Sequence, residues 1–291
     1  MFKIFSDLSK FGITIFVILS GVCGYALSFE MENGFNGQHL LIFVLGQFLL
    51  SSGSLALNQV QEVEKDRKMP RTEKRPIVRG KISKSAALLL SVFMLAVGFI
   101  LLWKTSVTCA LVGLAIVVLY NGLYTYWWKP RWVFAAIPGA VPGALPATMG
   151  YAANDPRIFE IDSIYLFAVM FLWQMPHFWA LAIKYKDDYS AGGVPTMPVA
   201  IGVERTLIHM AIYTFLYVLL AILSPMFVPT SWGFLLLVLP VSYMVLHEFL
   251  RFYRSKGQER WLAFFLWINV SVLIYQIVPV IDKWLFLIVD S

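Results

Sequence analysis

Charge is what this chain has least of. Only 14% of its 291 residues are Asp, Glu, Lys or Arg, against roughly 25% in soluble domains, and mean hydropathy is +0.73. So small a polar complement cannot coat a water-soluble globule. Cysteine is scarce as well. Cys23 and Cys109 both lie in apolar runs, which excludes a disulfide framework or a thiolate zinc site. Intrinsic disorder is excluded by an aromatic content of 16%, far more apolar surface than an unstructured chain carries. The net charge of +6 would suit nucleic acid only if the basic residues formed one soluble face.

What the chain has instead is a series of apolar runs near the length needed to cross a bilayer. A hydropathy window places nine, near 11–29, 39–57, 85–103, 107–126, 132–152, 163–183, 206–226, 231–250 and 261–281. The first is expected to be retained, because Cys23-Gly24-Tyr25-Ala26-Leu27 is a poor cleavage site. The fifth carries Pro138, Pro142 and Pro146, tolerable in a bundle whose neighbours satisfy the freed backbone groups. Of the 23 basic residues, all but Lys104, Arg157 and Lys283 fall at the N-terminus or in the loops after spans two, four, six and eight. By the positive-inside rule the N-terminus is cytoplasmic and the C-terminus outside. The expected fold is therefore all-α: a polytopic membrane protein of nine transmembrane helices, one integral-membrane domain over 1–291. It has two pseudo-equivalent halves, with motif loops near 58–84 and 184–205. The basic charge serves topology, and nucleic acid drops out as a partner.

Two polar segments are too rich for plain anchors. In the first, Asn58, Glu62 and Asp66 recur every four residues, so a helix leaving the membrane would carry them on one face. Stacked oxygen ligands suit a hard divalent cation. Mg²⁺ in particular is usually held by one or two carboxylates, with phosphates and water completing its octahedron. Arg71, Lys74 and Arg75 follow and can grip phosphate oxygens, although the positive-inside rule alone would also place basic residues there. The second segment puts Asp187 and Asp188 at the end of span six. Two such ends imply facing half-sites for a metal and a diphosphate, whose departure must be assisted electrostatically. His177 and Gln174 lie about two turns deeper. They are functional candidates, or else a hydrogen bond beside the Pro176 kink.

At these residues the sequence resembles the UbiA-type intramembrane prenyltransferases, which carry one Asn/Asp-rich motif after the second helix and another after the sixth. Asn58, Glu62, Asp66, Met69, Arg71-Thr72 and Arg75-Pro76 are similar to the first motif of the branch that farnesylates heme. Pro176-His177-Phe178, Asp188-Tyr189, Ala191-Gly192 and Pro198 resemble its second. Tyr124-Thr125 with Lys129, and Gly143-Ala144-Leu145-Pro146, extend the likeness over nearly the whole chain.

The resemblance implies a Mg²⁺ site at Asn58, Glu62, Asp66 and Asp188, with Arg71, Arg75, Lys129 and Lys184 clamping diphosphate oxygens. Tyr120 and Tyr124 would shield an allylic cation, and His177 would line the substrate cavity. The implied substrates are farnesyl diphosphate and heme b, the product heme O, and a possible partner a downstream heme A synthase. The implied place is the bacterial inner membrane, with the active site toward the cytoplasm. A basic Lys184 is similar to the heme branch and argues against the branch acting on aromatic or quinone precursors. A transporter, the rival from another class, would put ionisable groups near the bilayer midplane; here they cluster at one surface.

Overall fold

The computed structural model describes residues 2–30, 34–231 and 233–289, and among these every regular element is helical. Helices α1 (Phe2–Ser9) and α2 (Phe11–Ser28) meet at Lys10, whose backbone is left-handed at φ 47°. Helix α3 (Gly37–Gln61) runs into the one-turn α4 (Val63–Asp66), and α5 (Lys84–Thr105) follows a loop of turns. Helix α6 (Val107–Val117) widens into a π-helical segment, Val118–Trp128, and closes with α7 (Lys129–Arg131). Then come α8 (Ala136–Tyr151), α9 (Ile161–Lys184), the short α10 (Lys186–Ala191) and α11 (Met197–Ala200), α12 (Val203–Ile222), α13 (Gly233–Arg254) and α14 (Trp261–Val289).

Among the described residues, eight of these stretches are long and apolar enough to cross a membrane, with Val107–Arg131 counted as one. The fifth apolar run is shorter than its sequence suggested. Residues 133–135 form a turn, which leaves α8 with 16 residues. At 1.5 Å per residue that is about 24 Å, below the roughly 30 Å of a hydrocarbon core. Side chains such as Leu89, Phe93 and Leu236 stand more than half exposed on the long helices, the surface expected where lipid is the solvent.

The chain divides into two compact units, Met1–Ile158 with Asp187–Pro195, and Phe159–Lys186 with Thr196–Ser291. In the first, small residues let backbones meet. A Cβ on Gly24 would lie 1.9 Å from the Ala147 carbonyl oxygen, and one on Gly150 would lie 1.8 Å from that of Gly21. Gly150 of the proline-rich α8 and Gly24 of α2 thus seat the two helices on each other. Tyr25, Phe43, Leu50, Leu102 and Met149 fill the core beside it. In the second unit polar atoms are paired across helices, as van der Waals and hydrogen-bond packing in lipid requires. The Trp173 indole donates to the Ile268 carbonyl at 2.8 Å, and the Tyr217 hydroxyl meets Ser271 Oγ at 3.0 Å. Glu248, only 3% exposed, is held by Arg260 at 2.7 Å.

Candidate active site

The ladder forms as its spacing predicts, although the helix breaks within it. Glu62 sits between α3 and α4 with φ −103° and ψ 7°. The break keeps the register, because Glu62 N–H donates to the Asn58 carbonyl at 3.0 Å and Asp66 N–H to that of Glu62 at 2.9 Å. Asn58, Glu62 and Asp66 are all buried, at 2%, 4% and 1% exposure.

A second ladder faces the first. Ser54 Oγ donates to Asn121 Oδ1 at 2.6 Å, Asn58 Nδ2 to Thr125 Oγ1 at 3.2 Å, and Lys129 Nζ to both Glu62 oxygens at 2.6 and 2.7 Å. Each contact joins residues 67 apart in sequence. A constant offset means two parallel helices in register, so α3 and the π-helical segment run in the same direction. Gln61 Nε2 adds a bond to the Asn121 carbonyl at 3.0 Å. In the π segment the Lys129 N–H bonds back five residues, to Tyr124. Tyr120 and Tyr124 stack there, with ring centroids 5.8 Å apart and planes 18° off parallel.

Charges in this cluster are mutually balanced. Burial opposes ionisation of Glu62, but Lys129 outweighs it and holds the carboxyl below its ordinary range. Asp66 is the reverse case. Burial raises its carboxyl and Arg75, paired with its Oδ2, offsets this only in part. Lys10 Nζ lies 3.3 Å from Asn58 Oδ1, and burial followed by repulsion from Arg75 brings its ammonium down to about 7.

Asp188 and Tyr189 of the second motif belong to the same unit. Asp188 Oδ2 accepts the Arg71 backbone N–H at 3.0 Å, and the Arg71 guanidinium reaches the Tyr189 hydroxyl at 3.3 Å and lies 5.5 Å from its ring centroid. A Cβ on Gly192 would come within 2.9 Å of the Met69 side chain, so glycine lets the two motif loops touch. The four-residue spacing of Lys184 and Asp188 suits one continuous helix, and that helix does not form. Helix α9 ends at Lys184, and Tyr185 leaves helical geometry at φ −112° and ψ 33°. Lys184 and His177 lie in the second unit. The Lys184 ammonium is 5.4 Å from the Trp261 ring centroid. His177 is packed against Trp173 and Phe265 at 4.6 and 4.9 Å between centroids.

Sequence reasoning missed Lys10, Ser54, Gln61 and Asn121, and named Tyr189 only as part of the second motif. The signal for one of them was present: Asn121, Thr125 and Lys129 recur every four residues, as Asn58, Glu62 and Asp66 do. As to metal, no three His, Cys, Asp or Glu side chains converge among the described residues. Mg²⁺ is usually held by one or two carboxylates and completed by its substrate. Asp66 Oδ1 is buried with no hydrogen-bond partner in the structure, a donor atom suited to such an ion.

Residues 15–270 match the UbiA prenyltransferase family. The chain belongs to that family. As a UbiA prenyltransferase it is an integral membrane protein, and its sequence is similar over 99% of its length to 99% of a protoheme IX farnesyltransferase from Bdellovibrio bacteriovorus, at 58% identity. A protoheme IX farnesyltransferase from Leptospira biflexa is 34% identical, over 97% of this chain and 99% of its own. The fold resembles a UbiA homolog from Archaeoglobus fulgidus bound to GPP and Mg²⁺. The TM-score is 0.65 at 17% identity, over 95% of this chain and 99% of that one.

Proposed function

We propose that this UbiA prenyltransferase moves a farnesyl group from farnesyl diphosphate to a vinyl group of heme b, giving heme O. The observation that carries the reading is the double ladder: buried oxygen donors at Asn58, Glu62 and Asp66, met by Lys129 and Arg75, in a chain 58% identical throughout to a protoheme IX farnesyltransferase. Asn58 and Asp66, with Glu62 once released from Lys129, would hold Mg²⁺, which when bound supplies Lewis-acid neutralisation of the diphosphate. Lys129, Arg75 and Arg71 turn their donors to phosphate oxygens and so favour the charge that develops on the leaving group. The allylic C–O bond breaks with its electron pair passing to diphosphate. The stacked rings of Tyr120 and Tyr124 present π-faces to the allylic cation and exclude water from it. The vinyl π-bond attacks the cation, and water adds to the resulting carbocation with loss of a proton, leaving a hydroxyethylfarnesyl substituent.

The same reading gives nine crossings of the bacterial inner membrane, the short α8 included, with the N-terminus and the motif loops in the cytoplasm. Its product is what a heme A synthase consumes. Incubation of purified protein with farnesyl diphosphate, Mg²⁺ and either heme b or 4-hydroxybenzoate, read by mass, tests the assignment. Farnesyl transfer to heme b alone is expected. Transfer to 4-hydroxybenzoate alone would move the chain to the aromatic branch.

A further inference from the structure

The middle rung of the double ladder carries a directional constraint. The Thr125 hydroxyl has one proton, and it is used: Thr125 Oγ1 donates to the Tyr120 carbonyl at 2.8 Å. Toward Asn58 it can therefore only accept. The Glu62 carboxylate is 3.1 Å away on the other side of the same Asn58 nitrogen; both its oxygens accept from Lys129 at 2.6 and 2.7 Å, so toward Asn58 it also only accepts. Lys10 Nζ donates to the remaining Asn58 atom, its Oδ1, at 3.3 Å. Two acceptors on one side thus leave the Asn58 amide one orientation, with nitrogen toward Thr125 and Glu62 and oxygen toward Lys10.

We infer that Thr125 is a positioning residue for the metal-binding face: it fixes the polarity of the Asn58 amide so that its carbonyl oxygen, and not its NH₂, is presented to a divalent cation. This deepens the proposed function and rests on its reading of Asn58 as a ligand. An amide nitrogen has no lone pair to give to a cation, so a flipped Asn58 would be a repulsive group rather than a weak ligand. Of the two acceptors that hold the Asn58 nitrogen, Glu62 is itself a candidate ligand and exchanges Lys129 for the cation. Thr125 keeps its bond to Tyr120 throughout, because that bond belongs to the wide turn of the π segment. The side chain that cannot be recruited away is the one able to hold the orientation.

The test is Mn²⁺ binding to the full-length protein in lipid nanodiscs with a non-ionising thio analogue of farnesyl diphosphate present. Binding is read from the paramagnetic resonance of the free ion, with no acceptor and no turnover. Thr125→Val keeps the shape and removes the acceptor. Its Mn²⁺ affinity is expected to fall about 10- to 100-fold, the usual effect of losing a partner that orients a ligand. Thr125→Ser restores the hydroxyl and is expected to bind like wild type, which separates orientation from packing. In an Asn58→Ala background, Thr125→Val is expected to cost nothing further. Wild-type affinity in Thr125→Val, equal weakness in Thr125→Ser, or additive loss in the Asn58→Ala background would each overturn the inference. So would a wild-type protein that binds no Mn²⁺. Binding in the expected pattern by a protein that farnesylates no heme would uphold the inference and reject only the proposed acceptor.

Discussion

Lys129→Met isolates the strongest electrostatic contact in the site. Lys129 and Glu62 form a close pair, both Glu62 oxygens lying 2.6–2.7 Å from the ammonium, with side chains only 20% and 4% exposed. Removing the lysine leaves a buried carboxylate without its main counter-charge, and breaking such a pair costs about 3–5 kcal/mol. At about 2–4 °C per kcal/mol the midpoint of thermal unfolding in detergent should fall by on the order of 10 °C. Glu62→Gln/Lys129→Met should recover most of the loss, since a neutral amide still accepts from Asn58 and nothing charged is stranded.

The pH dependence has a definite sign. In the wild type, burial opposes the Glu62 charge but Lys129 depresses the carboxyl below its ordinary value near 4.5. The pair therefore contributes stability above that pH and loses it as pH falls further. In Lys129→Met burial wins and the carboxyl rises, so its contribution is lost as pH increases through the raised value. The gap between wild type and variant should widen from pH 5 to pH 8. Equal unfolding midpoints, or a gap independent of pH, would refute the pairing argument.

Three further outcomes are expected. Asp66→Asn should fold and insert but lose prenyl transfer by at least about 10²-fold, the scale on which a group stabilising transition-state charge acts; full turnover at saturating Mg²⁺ would remove Asp66 from the site. Gly98→Ala should destabilise by about 1–3 kcal/mol, because its Cβ would stand 2.6 Å from the Leu50 backbone nitrogen; an unchanged midpoint would show that α3 and α5 separate freely. Lys74→Cys should resist an impermeant thiol reagent on intact cells and react after lysis, with Cys23 and Cys109 buried and silent; labelling of intact cells would reverse the proposed topology.

Hydropathy and basic loops made the helical bundle legible, since crossing a bilayer leaves so few options for the backbone. The prolines of α8 were read as features of a ninth span of ordinary length. What a window average does not register is the turn at 133–135, nor that Gly150 is required for backbone contact with Gly21, and Gly24 for contact with Ala147. Such contact is a property of two surfaces, and hydropathy scores only one chain segment at a time. The break at Tyr185 was likewise hidden. Lys184 and Asp188 have ideal helical spacing, and no proline or glycine lies between them to announce an end.

The site itself divides by sequence separation. The bond from Asn58 to Glu62 spans four residues, and helical periodicity alone predicts it. Glu62 with Lys129 spans 67, Asn58 with Lys10 spans 48, and Asp188 with Arg71 spans 117. No local rule reaches that far, and Lys10 in particular carries no mark distinguishing it from a topological charge. Yet the offset of 67 repeats for Ser54–Asn121, Asn58–Thr125 and Glu62–Lys129. It repeats because both partners are helical with polar residues every fourth position, and because the spans run in the same direction. Two apolar runs with matched polar ladders, separated by one antiparallel span, are a pattern that a sequence displays. The ladder at Asn121, Thr125 and Lys129 was therefore readable as the complement of the first. Its π-helical winding was not: there Gln61 and Thr125 bond the carbonyls of Asn121 and Tyr120, contacts that no periodicity displays.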